Sequence, residues 1–142
     1  MPTFAHSIDI DASADEVFAQ ICDPQVHFEL HPLNQTLEVH SAGATETTFT
    51  TERFYVMGLP LTMTVHATMR PDAEALEVVF DAKTSVGIGV VTRYRVEPNG
   101  SGSILHESAT VSAPPLMKAK SVKEARAAHN ALLDAFKRRL EG

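Results

Sequence analysis

Between Pro114 and Leu140 the sequence reads as one long helix, and that stretch limits what the rest of the chain can be. Val122, Ala125, His129, Leu132, Leu133, Phe136 and Leu140 recur at spacings of three and four, which places them on one stripe. Lys118, Lys120, Lys123, Glu124, Arg126, Asp134, Lys137, Arg138 and Arg139 occupy the other faces. Pro114 and Pro115 suit a first helical turn, and neither Gly nor Pro recurs until Gly142. About 26 helical residues rise about 39 Å, enough to cross a small domain. A helix with one apolar stripe must lie on something apolar. The expected support is the concave face of a sheet formed by the residues before it.

Those residues read as strands, with two short helices near the start. In Thr3 to Ile10, Phe4, His6, Ile8 and Ile10 share one side. Ser13 and Glu16 form a capping box, and Val17, Phe18 and Ile21 give the following helix a buried side. Pro24 ends it, and Gln25 to Leu30 make a second short helix before Pro32. From Thr36 the pattern has period two, with strands expected at about 36–41, 46–57, 60–70, 75–83, 88–97 and 103–112. The separators are short and turn-like, so successive strands should be antiparallel neighbours. Parity sorts the faces. Leu61, Met63, Val65, Ala67 and Met69 go together, as do Leu76, Val78, Phe80 and Ala82. Ile88, Val90, Thr92, Tyr94 and Val96 oppose Arg93, Arg95 and Glu97, and Leu105, Ala109 and Val111 share a face with Glu107. One apolar face and one polar face indicate a sheet covered on one side.

Composition narrows the class. The 142 residues suit one domain spanning 1–142, with no room for a second of ordinary size. Cys22 is the single cysteine, which excludes an internal disulfide and a thiolate cluster. No signal peptide and no apolar run of membrane-spanning length is present, so the expected location is cytoplasmic. The net charge of −6 is uneven: residues 1–114 carry −10 and residues 115–142 carry +4. A basic helix over an acidic sheet explains this, and an acidic chain repels phosphate at long range, so no nucleic-acid partner is expected.

The order strand, two short helices, six strands, long helix is distinctive. With "HSIDIDASADEVFAQICDP" at 6–24, "HP" at His31-Pro32, "YRVEPNGSGSILHE" at 94–107 and the closing helix, the chain resembles the SRPBCC superfamily. This is the START-like, birch-pollen-allergen-like helix-grip group, and the likeness is to its polyketide cyclase/dehydrase branch. The resemblance covers essentially the whole chain. It implies an α+β helix-grip fold, a curved seven-stranded antiparallel sheet wrapped around the C-terminal helix, with two short helices after strand 1. It also implies a deep apolar chamber between sheet and helix. Two departures stand out. The aromatic that many members carry before the "HP" step is Phe28 or absent, and the Gly-rich loop of the plant members is reduced to Gly43, so no phosphate cradle is expected.

The residues offer one polar cluster for such a chamber. Parity points Glu107 and Tyr94 inward, His129 lies on the helix stripe, and Arg53 and Tyr55 share a strand face. A buried carboxylate beside an imidazole or guanidinium can hold a ligand hydroxyl or carbonyl, or move a proton. The alternative is that Glu107 satisfies Arg53 or His129 inside a core, or that the register slips and swaps the faces. Met63, Val65, Met69, Phe80, Val90, Leu133 and Phe136 would wall the chamber. His27 and His31 stand four apart, as two metal ligands on a helix would, but no third ligand is identifiable and no metal is expected. No cofactor is implied. Cys22 sits at a helix C-terminal end and no Ser lies in a Gly-flanked elbow, so no nucleophile stands out. The hairpin tip from Tyr55 to Met63 is apolar where turns are polar, and its 57–61 loop is a candidate gate or a transient contact with a membrane or protein partner.

Three functions fit. The leading one is binding of a hydrophobic small molecule, lipid or polyketide-like, between sheet and helix. The second is a polyketide cyclase, dehydratase or aromatase using an acid/base pair there. The third is an interaction or stress-related module whose interior is packed shut by Met63, Met69, Phe80 and Phe136. Whether the chain is an enzyme, and whether it is a monomer or homodimer, stay open at this level.

Overall fold

A computed structural model of the chain describes residues 3–30, 34–42, 47–56, 60–85 and 87–142. Its elements run β1 (Thr3–Ile10), α1 (Ala14–Ile21), α2 (Pro24–Leu30), β2 (Asn34–Ala42), β3 (Thr47–Val56), β4 (Pro60–Asp72), β5 (Glu77–Thr84), β6 (Gly89–Asn99), β7 (Gly102–Ser112) and α3 (Lys118–Glu141). The strands form one antiparallel sheet in the order β1-β7-β6-β5-β4-β3-β2, open at β1 and β2. From β2 to β7 each strand pairs with the next in sequence, as short turns dictate. Only β1 is placed by a distant partner, running from Thr3 opposite Thr110 to Ile10 opposite Ser103.

Local signals explain the ends. Ser13 takes an extended backbone and its Oγ accepts the Glu16 N–H at 3.3 Å, which starts α1. Val17 and Ile21 are its buried side. The β6–β7 hairpin turns through Gly100 and Ser101, and Gly100 supplies the positive φ (63°) that the tight turn needs. The β4–β5 connection differs from the parity reading. Leu76 is not in β5 but in a turn, at φ 52°, where Asp72 Oδ1 accepts the Ala75 N–H. The long helix also starts later than its prolines suggest. Met117 N–H bonds the Pro114 carbonyl in a preceding turn, and α3 begins at Lys118 with no side-chain cap. Its 24 residues still rise about 36 Å.

The face assignments hold on β4 to β7. Val65, Ala67, Met69, Val78, Phe80, Tyr94, Val96, Leu105, Ala109 and Val111 are buried, whereas His66, Arg70, Arg93 and Arg95 are exposed. The stripe of α3 divides between two buried clusters. Leu132, Leu133 and Phe136 pack with Met69, Val78, Phe80, Tyr94, Val96 and Leu105, and with Val17, Ile21 and Val26 of the short helices. Val122 and Ala125 pack on the smaller cluster of Phe4, Ala109 and Val111. Sheet, short helices and α3 thus close on one apolar interior, the helix-grip arrangement. Among the described residues no helix is long and apolar enough to cross a membrane.

Candidate functional site

β7 carries the site's carboxylate because its period-two pattern is apolar at Leu105, Ala109 and Val111 and acidic at Glu107. The pleat buries all four together. The sheet register sets Tyr94 of β6 opposite Glu107 on one side and His6 of β1 opposite it on the other. α3 supplies the partner. His129 Nδ1 lies 3.0 Å from Glu107 Oε2, with the carboxylate side chain fully buried and the imidazole 16% exposed. Phe4 meets the His129 ring edge-on, with centroids 5.5 Å apart, and the Arg126 guanidinium lies 5.6 Å from the centroid of the same Phe4. The imidazole is therefore held by a hydrogen bond along its plane and by an aromatic contact. The other carboxylate oxygen, Oε1, is buried and has no hydrogen-bond partner among the described residues.

A second histidine lies close by. His27 of α2 sits 2.6 Å through Nε2 from the Ile21 carbonyl oxygen. A carbonyl only accepts, so Nε2 carries the proton and Nδ1 holds a lone pair. The ring packs among Phe80, Phe136 and Tyr94, at centroid distances of 4.7, 5.1 and 6.0 Å. Burial pushes its pKa down to about 4 against the support of the Ile21 carbonyl, and the positive potential of His129 adds to the push. Asp23 and Glu107 pull the other way. His27 is thus a neutral imidazole at neutral pH. Cys22 is equally silent: burial raises its thiol to about 11, which removes it as a nucleophile.

The residues expected at the site separate into three groups. Glu107 and Tyr94 are buried neighbours in the sheet register, facing inward as the parity predicts, and His129 on the helix stripe bonds Glu107. Val65, Met69, Phe80, Leu133 and Phe136 are buried in the interior, and Val90 is half-buried beside the Phe4 cluster. The side chains of Arg53, Tyr55 and Met63 lie outside the described residues, as do the tip 57–59, Phe28, His31, Pro32 and Gly43. The backbone places Arg53 opposite Met63, and Tyr55 opposite Leu61, on β3 and β4. β3 is four places from β7 in the sheet order, and the partner Glu107 has is His129. In the sequence His27 stood out only for its spacing of four to His31, a pair without a third ligand and so not expected to hold a metal. Its ring is instead bonded to the end of α1, and among the described residues no three His, Cys, Asp or Glu gather in a metal-binding group.

Chemically the pair is a carboxylate that fixes an imidazole through Nδ1 and leaves Nε2 to meet a ligand. That arrangement suits hydrogen bonding or proton transfer at Nε2. A surface groove of about 390 Å³ lies along the N-terminal half of α3, lined by Ala119, Val122, Lys123, Arg126, Ala127 and Asn130. It ends at the helical turn that carries His129.

Comparison with known proteins gives this geometry a context. The family model described as polyketide cyclase / dehydrase and lipid transport matches residues 1–141. No curated protein matches the sequence. Among solved structures, a protein of Thermus thermophilus superposes with a TM-score of 0.80 at 16% identity, over 98% of this chain and 97% of that one. The Zhui aromatase/cyclase from a Streptomyces species gives 0.72 at 15% identity, over 97% and 94%. A START superfamily protein from Mycobacterium smegmatis gives 0.75 at 14% identity, over 98% and 97%. At these identities the structures establish the fold alone, and the family model establishes membership. The chain belongs to the polyketide cyclase / dehydrase and lipid transport family.

Proposed function

We propose that this protein binds a hydrophobic small molecule between the concave face of the sheet and α3, with Glu107 and His129 as its polar anchor. One observation carries the reading. A carboxylate is buried in an apolar interior with one oxygen bonded to His129 and the other bonded to nothing among the described residues. Burying a polar group without a partner costs roughly 1–3 kcal/mol, and a core built for stability alone would place an apolar side chain there. Affinity would come from apolar ligand surface removed from water, at about 25 cal/mol per Å². Tyr94, Phe80, Phe136 and His27 would line the ligand's polar end.

Native mass spectrometry of the purified protein, followed by organic extraction, tests this. A stoichiometric apolar species that is lost in the Glu107→Leu and His129→Leu variants, with their folds intact, supports the reading. Its retention in both variants removes Glu107 and His129 from the site.

The pair itself favours a second reading, a cyclase or dehydratase. Carboxylate-held imidazole is an arrangement for general acid/base work, and enolisation with loss of water asks for nothing more than that pair and a shaped apolar wall. Turnover that falls by about 10²–10⁴ in His129→Gln, with ligand affinity unchanged, would separate catalysis from binding.

A further inference from the structure

We infer that the polar end of this site is built for a ligand that donates a hydrogen bond, an alcohol or phenol on an apolar body, and not for a bare ketone. The inference rests on the binding reading above and narrows its ligand class.

Glu107 Oε1 is an acceptor whichever way the shared proton lies. With the proton on His129 Nδ1, both carboxylate oxygens accept. With the proton on Oε2, the bond to His129 reverses and Oε1 is the carbonyl oxygen of an acid, which again accepts. It is buried, and no described residue donates to it. His27 adds a second acceptor by the same kind of argument. Its Nε2–H is spent on the Ile21 carbonyl, so Nδ1 offers only a lone pair while the ring stays neutral. The His27 ring packs against Phe80, Tyr94 and Phe136, and Glu107 is buried opposite Tyr94 in the sheet register. What satisfies them must arrive on an apolar body and bring hydrogen. A ketone could meet a proton on His129 Nε2, but it would leave Oε1 without a donor. A hydroxyl meets Oε1 with its hydrogen, which neither a ketone nor an ether can do.

The test uses three probes on one skeleton: 2-naphthol, which donates; 2-methoxynaphthalene, which does not; and 2-acetonaphthone, which presents a carbonyl. Titration calorimetry at neutral pH should show the naphthol binding at least about tenfold tighter than either of the others. The preference should vanish in Glu107→Leu and survive in Glu107→Gln, whose amide oxygen still accepts. Equal affinities, or a preference for the ketone, overturn the inference and leave the binding reading standing. A preference that persists in folded Glu107→Leu also overturns it. Binding of none of the three overturns the binding reading and this inference together. The wild-type ratio decides the matter even where Glu107→Leu fails to fold.

Discussion

His106 and Glu107 are neighbours in β7, and each is half of a Glu–His pair, but the pleat sends them to opposite sides of the sheet. Outside, His106 Nε2 lies 2.8 Å from Glu97 Oε2, with the imidazole 29% and the carboxylate 46% exposed, and His106 Nδ1 lies 2.7 Å from Ser7 Oγ. Inside, Glu107 and His129 are 3.0 Å apart, with Glu107 fully buried. The residue types match and the distances nearly match. What differs is the solvent. Each outer group can return to water if its partner is removed, so the outer pair adds little. The inner carboxylate cannot, so its partner decides whether the core tolerates it. The hydroxyl, imidazole and carboxylate of Ser7, His106 and Glu97 even line up like a nucleophilic relay. They lie on an open strand face whose ladder is already paired, with no wall to gather a substrate.

The contrast breaks most visibly at His129. Replacing it by Ala strands the buried Glu107 and should destabilise the protein by roughly 3–5 kcal/mol in urea unfolding. The double change Glu107→Leu with His129→Leu should recover most of that loss, because it removes the buried polar group and its partner together. A loss under about 1 kcal/mol in His129→Ala would mean that water reaches Glu107, and the two pairs would then be alike.

His27 sharpens the same contrast through pH. Its folded pKa of about 4 lies below the ordinary 6.5, so the unfolded chain binds the proton more readily. Above 6.5 both states are neutral and this group has no effect. As pH falls from 6.5 towards 4, stability should drop by about 3 kcal/mol through this residue alone, and it should fall no further below that. Unfolding free energies measured across that window in the wild type and in His27→Phe check it. The variant should lose the His27 part of the slope. An identical slope in both would show that His27 takes up its proton without leaving its place among Phe80, Tyr94 and Phe136.

Much of this was readable from residues. Period two on β7 placed Glu107 inward between Leu105 and Ala109, and the three-four spacing on α3 placed His129 on the buried stripe. That Glu107 would meet His129, and not Arg53, was not readable. It depends on which turn of α3 lies over which pair of strands, and β1, joined to β7 across the whole chain, helps set that. His27 was hidden for another reason. In a helix of seven residues, the spacing to His31 suggested a ligand pair, while the carbonyl that holds its ring belongs to the end of the previous helix. The start of α3 was misplaced because proline permits a first turn without requiring one, and no Ser, Thr, Asp or Asn marked the cap.

The smallest effect belongs to the outer pair and is the cleanest control. Glu97's carboxyl is held below its ordinary value chiefly by the hydrogen bond from His106; desolvation opposes this next, and the charges of His106 and Arg95 add smaller lowering effects. In His106→Ala that carboxyl should titrate closer to the ordinary carboxylate range, visible in its side-chain carbon resonance. A carboxylate depressed in the folded state stabilises above its unfolded pKa and loses that contribution as pH falls through the folded value. Glu97 is well exposed, so the resonance should move while the melting temperature stays within error, most plainly at high salt. If the melting temperature instead falls as far as it does in His129→Ala, solvent is not what separates the two pairs. The register of β6 against β7, which both carboxylates share, would then be the element that either histidine holds.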